Sequence, residues 1–267
     1  MKYYDTANNR LVFLNQKADS AFWDKLWDID DFKKSVSSGK NDRFVSVITK
    51  KFITPDKNHR ILEGGCGKGN FVFSLDYNGY DAFGVDYATK TIEKINEAFP
   101  LLNVSCQDVR KLNFVDNFFD GYWSLGVIEH FFDGYEDIIS EAHRVLKDGG
   151  YLFLTFPYLS PFRKIKIKLN LYNIFDRGNF KEEKFYQFAL DYENVRQNLE
   201  KNGFQLVYKK PLDGFKGLKD ETSAIKNVLQ KIYSSQNIIF KILSAIISNV
   251  LTPISGHSIL LVFKKNK

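Results

Sequence analysis

Short apolar runs alternate with amphipathic segments through the middle of the chain. Five runs have the length and composition of buried strands: 61–62, 82–85, 102–104, 121–127 and 151–156. Between them, residues 89–98 and 135–146 repeat apolar positions at the three- and four-residue intervals of amphipathic helices. This alternation predicts an α/β fold, in which helices cover both faces of a mostly parallel sheet.

The segments on either side of the first five strands are predicted to cover the sheet. Residues 1–55 contain Trp23 and Trp27, which are four positions apart and would share one helix face, so this region is expected to be a helical cover. Residues 157–189 follow the fifth strand and are rich in basic and aromatic side chains.

A third segment separates the last two predicted strands, 204–208 and 259–263. Residues 212–256 are expected to form a helical insertion. Its apolar positions recur at helical spacing: Ile239, Ile242, Leu243, Ile246, Ile247 and Val250. The stretch 237–251 is too short to span a bilayer, which leaves packing on the domain, a dimer contact or a peripheral membrane contact.

Composition narrows the class of protein. The chain has 267 residues, of which 44% are hydrophobic, so residues 1–267 are compatible with one globular domain. The net charge of +6 is small for a dedicated nucleic-acid binder, so nucleic acid is an unlikely partner. Two cysteines, no signal-peptide pattern and no run of roughly 18 apolar residues predict a cytoplasmic location. The oligomeric state stays open.

A glycine-rich loop follows the first predicted strand and precedes a helix. It reads Glu63-Gly64-Gly65-Cys66-Gly67-Lys68-Gly69. Glycine is needed where the backbone turns sharply or a ligand lies against it, and N–H groups at a helix start bind negative groups. A dinucleotide-binding loop would continue Gly-x-Gly-x-x-Gly or Ala, but the last position here is Asn70. An acidic Glu63 would also repel the negative charge of a pyrophosphate, whereas it is compatible with a positively charged cofactor.

Five segments in order resemble the motifs of class I S-adenosylmethionine-dependent methyltransferases. They are Glu63-x-Gly65-x-Gly67-x-Gly69, Gly84-Val85-Asp86-Tyr87, Gln107-Asp108-Val109, Asp120–Ser124 with Val127–His130, and Arg144–Gly150. The resemblance covers residues 58–158. It implies a seven-stranded Rossmann-like sheet with strand order 3-2-1-4-5-7-6, in which strand 7 is antiparallel. It also implies that residues 157–189, after the fifth strand, form a lid that contributes to acceptor binding.

The resemblance also implies S-adenosyl-L-methionine as cofactor and assigns residues to it. Asp86 would bind the ribose hydroxyls, and Asp108 would accept from the adenine amine. The cofactor-binding residues expected from these motifs are Glu63, Gly64, Gly65, Gly67, Gly69, Asp86, Tyr87, Asp108, Val109 and Ser124.

The acceptor is the least determined part of the prediction. His130 follows the fourth strand, where active sites of open α/β sheets lie, and is the candidate general base. Its neighbour Glu129 is a candidate for positioning the cofactor or the acceptor. The segment Ser124-Leu125-Gly126-Val127 stands where many adenine and glutamine N-methyltransferases have Asn-Pro-Pro-Tyr. No metal-binding carboxylate cluster is recognisable in the sequence. A small or medium-sized acceptor such as a sugar, a lipid-linked compound or a natural product, methylated at oxygen, is expected.

Two other classes stay open. One is a non-catalytic protein that binds the cofactor with the same fold. The other is an NAD(P)-dependent oxidoreductase, which Glu63 and Asn70 disfavour.

Overall fold

A computed structural model describes residues 1–28, 31–222, 226–235 and 237–267. In chain order the elements are β1 (Lys2–Asp5), β2 (Arg10–Leu14), α1 (Ser20–Leu26), α2 (Phe32–Ser37), α3 (Val45–Lys50), β3 (Arg60–Gly64), α4 (Asn70–Tyr77), β4 (Asp81–Asp86), α5 (Thr89–Ala98), β5 (Asn103–Cys106), β6 (Phe119–Leu125), α6 (Glu136–Val145), β7 (Leu146–Pro157), α7 (Pro161–Lys168), β8 (Asn173–Ile174), β9 (Phe185–Ala189), α8 (Tyr192–Lys201), β10 (Phe204–Leu212), α9 (Gly214–Glu221), α10 (Lys226–Ser234), α11 (Ile238–Ser255) and β11 (Ser258–Lys265). Short 3-10 turns occupy residues 38–41, 128–130, 177–179 and 182–184.

The main sheet has seven strands in the order β10-β11-β7-β6-β3-β4-β5. Numbered within the sheet, this is the predicted order 3-2-1-4-5-7-6 read from the other edge. Strand β11 is antiparallel to both β7 and β10, whereas β3, β4, β5, β6 and β7 are parallel. The predicted fold class and strand order are therefore confirmed.

Alternate residues of the central strand supply the two apolar layers. Leu62 packs in a core with Ile138 and Ile139 of α6, and Ile61 packs in another with Val45 of α3 and Val72 of α4. Because successive side chains of a strand point to opposite faces, both faces of the sheet require helices to cover them. The carboxyl ends of β3, β4 and β6 consequently meet at one edge, where ligands of such sheets bind.

A second sheet, in the order β8-β1-β2-β9, was not predicted. Strands β1 and β2 form a hairpin, and β9 pairs with β2 through Leu11 opposite Ala189. The prediction that residues 1–55 form a helical cover is wrong for residues 2–14, although α1, α2 and α3 do follow. The pattern concealed the strands because the outer partners of the hairpin, β8 and β9, lie some 170 positions away in the chain. The expected lid, residues 157–189, accordingly contributes β8 and β9 to this sheet.

The insertion between β10 and β11 contains α9, α10 and α11; within the expected 212–256, residues 223–225 and 236 lie outside the described part. Helix α11 packs on α9, and Ile242, Ile246 and Val250 of α11 are exposed rather than packed on the domain. The side chains of Ile239 and Leu243 lie outside the described residues. In the part of the chain described, no helix is long and apolar enough to cross a membrane.

Candidate functional site

The glycine loop joins the end of β3 to the start of α4, as its sequence predicts. Gly65 and Gly67 have φ angles of 75° and 49°, in the left-handed region that favours glycine. A Cβ added at Gly65 would lie 2.5 Å from Val127 Cγ2. The loop therefore needs glycine both for its conformation and for its approach to the segment after β6.

Asp86, at the end of β4, holds this loop in place. Its Oδ2 accepts a hydrogen bond from the Gly67 N–H at 2.8 Å, and its Oδ1 accepts one from the Ala88 N–H at 2.9 Å. Burial raises the pKa of Asp86, and these backbone donors partly offset that rise. The carboxyl group thus couples the loop to the adjacent strand before any ligand is considered.

Glu63 lies beneath the loop and is 2% exposed. Its Oε2 has no hydrogen-bond partner among the described residues. Burial, and next the nearby Asp86 charge, raise the pKa of Glu63 well above its ordinary value. A buried carboxylate oxygen without a donor is costly, so the site suits a ligand that brings an ammonium or another donor group.

A pocket of about 720 Å³ opens in front of the loop. Seven of the eleven predicted site residues line it: Gly65, Gly67, Asp86, Tyr87, Asp108, Val109 and His130. The other four lie behind its wall: Glu63, Gly64, Gly69 and Ser124. The Ser124 hydroxyl is buried and, like Glu63 Oε2, has no partner in the described chain.

Asp108 differs from Asp86 in its surroundings. It follows β5, its side chain is 45% exposed, and Arg110 Nη2 donates to its Oδ2 at 2.6 Å. Hydrogen bonds from Arg110 hold the pKa of Asp108 below its ordinary value, so this carboxyl is ionised at neutral pH. It can accept a hydrogen bond from a ligand donor in the pocket.

His130 sits on the 3-10 turn after β6, where it lines the pocket. Its Nδ1 lies 2.7 Å from the Tyr186 carbonyl, which can only accept, so Nδ1 carries the proton and Nε2 the lone pair. Burial lowers the pKa of His130 to about 4. The ring packs edge-on against Trp23 at a centroid distance of 5.1 Å. His130 is therefore a neutral imidazole of defined tautomer.

Glu129 precedes His130 and is buried away from the pocket wall. Burial raises its pKa to about 8, and its Oε2 has no partner in the described part of the chain. At neutral pH this side chain is mainly protonated. The structure thus places a neutral acid and a neutral base side by side at the end of β6.

Trp23 and Trp27 of the N-terminal segment also line the pocket, a role that was not predicted for them. Their rings stack at 6.3 Å, and a Cβ on Gly67 would lie 2.8 Å from the Trp27 ring. Their four-residue spacing predicted a shared face correctly. Only the tertiary fold shows that this face covers the glycine loop.

Comparisons with a protein family and with solved structures agree with this fold and pocket. Residues 62–154 match the family model described as a methyltransferase domain. No curated protein matches the sequence. The fold resembles an S-adenosylmethionine-dependent methyltransferase from Archaeoglobus fulgidus, at 17% identity and a TM-score of 0.52, over 87% of this chain and 99% of that one. A counterpart from Thermotoga maritima gives 17% identity and a TM-score of 0.53, over 93% and 100% of the two chains.

A third structure carries ligands. It is phosphoethanolamine N-methyltransferase 2 of Haemonchus contortus with phosphomonomethylethanolamine and S-adenosylhomocysteine, at 17% identity and a TM-score of 0.54. The match covers 92% of this chain and 59% of that one.

Domain match, sheet topology and site agree. The protein contains a methyltransferase domain, matched over residues 62–154, on a sheet with the strand order predicted for class I S-adenosylmethionine-dependent methyltransferases. The residues fit the cofactor, because the unpartnered Glu63 Oε2 suits a ligand ammonium and the loop N–H groups suit a carboxylate. The acidic Glu63 fits a dinucleotide pyrophosphate poorly, so the oxidoreductase alternative is set aside.

Proposed function

We propose that this protein methylates a hydroxyl group of a small or medium-sized acceptor, such as a sugar, a lipid-linked compound or a natural product. The neutral His130 in the pocket wall carries this proposal. A hydroxyl acceptor needs a group that takes its proton, whereas an amine nucleophile that is already neutral does not. When bound, the cofactor supplies an activated methyl group on its sulfonium.

The cofactor is proposed to lie along the carboxyl ends of β3, β4 and β5. Glu63 would receive its ammonium group, and the loop N–H groups after Gly65 and Gly67 its carboxylate. Asp86 would accept from the ribose hydroxyls, and Asp108 from the adenine amine. Support comes from Gly65, Gly67, Asp86 and Asp108, which all line the pocket, and from the unsatisfied oxygen of the buried Glu63. Tyr87 and Val109 would line the adenosine part.

His130 is proposed as the proton acceptor. Its Nδ1–H donates to the Tyr186 carbonyl, which orients the ring and leaves Nε2 free to take the hydroxyl proton. Its low pKa keeps it unprotonated at neutral pH but also makes it a weak base. The Trp23 ring excludes water from one side of the imidazole.

We expect His130→Gln to abolish turnover and to leave cofactor binding nearly unchanged. Turnover is measured as S-adenosylhomocysteine release with a panel of hydroxyl and amine acceptors, and binding by calorimetry with S-adenosylmethionine. Asp86→Ala is the contrasting variant: it should weaken cofactor binding by roughly 1.5–3 kcal/mol, the worth of a hydrogen bond to a charged group.

Each outcome separates the alternatives. Full turnover in His130→Gln would disprove the base, and turnover with amines alone would disprove the oxygen acceptor. Tight cofactor binding without turnover on any acceptor would favour the non-catalytic binding protein. Undiminished cofactor affinity in Asp86→Ala would disprove the ribose assignment.

A further inference from the structure

Helix α11 turns its polar side towards the protein. Ser248 Oγ and Thr252 Oγ1 accept hydrogen bonds from the N–H groups of Phe215 and Gly214, and Ser255 Oγ donates to the Gly214 carbonyl. The two helices lie so close that a Cβ on Gly214 would be 2.3 Å from the Thr252 nitrogen. Hydroxyl groups and a close approach at glycine thus contribute to the attachment of α11 to α9.

The opposite side of α11 is apolar and faces outward. Its exposed members recur every four residues over the whole helix: Ile238, Ile242, Ile246, Val250 and Ile254. Each is between 53% and 69% exposed. A surface helix normally turns its apolar side to the core and its polar side to solvent. An apolar stripe of this length on the solvent side is therefore unusual. A stripe of this kind requires a partner to cover it.

The stripe does not stand alone, because α11 packs against both α7 and α10. Helix α7 exposes Ile165, the exposed Leu169 follows directly after this helix, and α10 exposes Val228. We call α7, α10 and α11 together the three-helix surface. Its apolar groups come from two separate stretches of the chain, before and after β9.

Every charged residue in the three-helix surface is basic. The helices contain Arg163, Lys164, Lys166, Lys168, Lys226, Lys231 and Lys241, and no Asp or Glu. Arg163 and Lys166 turn inward to Glu221. Lys168, Lys231 and Lys241 are exposed.

We infer that the three-helix surface binds peripherally to an anionic lipid membrane. Exposed apolar side chains beside lysines are the features by which interfacial helices bury one face among lipid chains and keep cations at anionic headgroups. A symmetric dimer through the same surface would set lysines of one copy against lysines of the other. The inference extends the predicted 237–251 contact to α7 and α10, and it does not depend on the proposed acceptor.

The test is flotation of the full chain with phosphatidylcholine vesicles, with and without phosphatidylserine, at low and high salt. We expect flotation with the anionic vesicles at low salt and loss of it at high salt or with neutral vesicles. Ile246→Asp should abolish flotation. Lys168→Glu with Lys231→Glu should reduce the bound fraction by roughly tenfold or more.

Matched controls test the position of each change. Leu101→Asp alters an apolar side chain that is 96% exposed between α5 and β5, and Lys50→Glu alters an exposed lysine of α3; both should float like the parent. Circular dichroism confirms that the variants fold. No flotation of the parent at low salt would overturn the inference. A dimer in solution that dissociates in Ile246→Asp, together with no binding to vesicles, would also overturn the inference. Because flotation needs neither cofactor nor turnover, its failure is distinguishable from failure of the proposed function.

Discussion

Individual carboxyl groups near the cofactor pocket are held in a neutral or strained state by burial. Glu63 and Glu129 each have an oxygen without a partner in the described residues, and burial is the largest cause of the raised pKa of both. Such groups reduce the stability of the free protein, because ionising a buried, unpaired carboxyl is unfavourable. Buried carboxyl groups with strongly raised pKa values are concentrated at functional sites.

Glu129 gives a prediction with a defined sign. Its pKa is about 8 in the folded chain against an ordinary 4.5, so the folded state binds the proton more tightly. Its unfavourable contribution is absent below pH 4.5, grows between pH 4.5 and 8, and is complete above pH 8. Glu129→Gln should therefore raise the free energy of unfolding at pH 8.5 by about 1.4 kcal/mol or more. At pH 4.5 the same substitution should change the free energy of unfolding little. Urea unfolding at both pH values measures this.

The control for this measurement is Glu97→Gln, on the exposed side of α5, which should show no such pH-dependent gain. A stabilisation by Glu129→Gln that is equal at both pH values would refute the burial argument, since it would not follow ionisation.

Elements defined by local patterns were predicted well. Helix α5 spans Thr89–Ala98, the predicted range, because its apolar positions repeat at helical spacing over its whole length. The strands of the main sheet begin and end within five residues of the predicted bounds. The glycine loop and the acidic residues ending β4 and following β5 were predicted because they lie in motifs that resemble those of class I methyltransferases. The carboxyl ends of parallel strands then meet at one edge of the sheet.

Elements that depend on distant partners were not predicted. Strand β1 also pairs with β8, and β2 with β9, so part of the stability of this hairpin comes from strands some 170 positions later in the chain. The tautomer of His130 likewise depends on the Tyr186 carbonyl, 56 positions later. What covers α11 was left open for a related reason: an apolar stripe indicates a face but not what lies against it.

The contact between α9 and α11 yields a prediction at the level of two helices. A Cβ on Gly217 would lie 1.6 Å from the Ser255 carbonyl oxygen, a backbone atom that cannot rotate away. Gly217→Ala should therefore push α11 off α9 and lower stability by roughly 1–3 kcal/mol. Hydrogen exchange of the amides in Ile238–Ser255 should accelerate. Gly178→Ala, on an exposed turn, is the control and should leave this exchange unchanged. Unaltered exchange in Gly217→Ala would show that α11 is not held by this contact.

Across the whole molecule, one buried carboxylate joins the peripheral elements. Glu221 of α9 accepts from Lys2 of β1 at 2.8 Å, Arg163 of α7 at 2.9 Å and Tyr172 at 2.6 Å. The second sheet, the segment after β7 and the insertion thus meet at a single group. Their common attachment explains how pieces far apart in sequence form one layer beside the methyltransferase sheet.

Removing the charge at this junction should separate that layer from the sheet. Burial alone would raise the pKa of Glu221, but the charges of Arg163 and Lys2 lower it to about 2, against an ordinary 4.5. Glu221→Gln leaves the fully buried Arg163 guanidinium unpaired, which should cost about 3–5 kcal/mol at pH 7. A depressed carboxyl pKa contributes stability above pH 4.5 that is lost as pH falls towards 2, so the deficit should shrink in acid. Denaturant unfolding at pH 7 and pH 3 measures both effects.

Glu182→Gln removes the exposed pair with Lys17 and should cost less than about 1 kcal/mol at either pH. Because only a buried ionised carboxylate gives both the large loss and its decline in acid, a deficit independent of pH would mean that Glu221 acts through its shape and not through its charge.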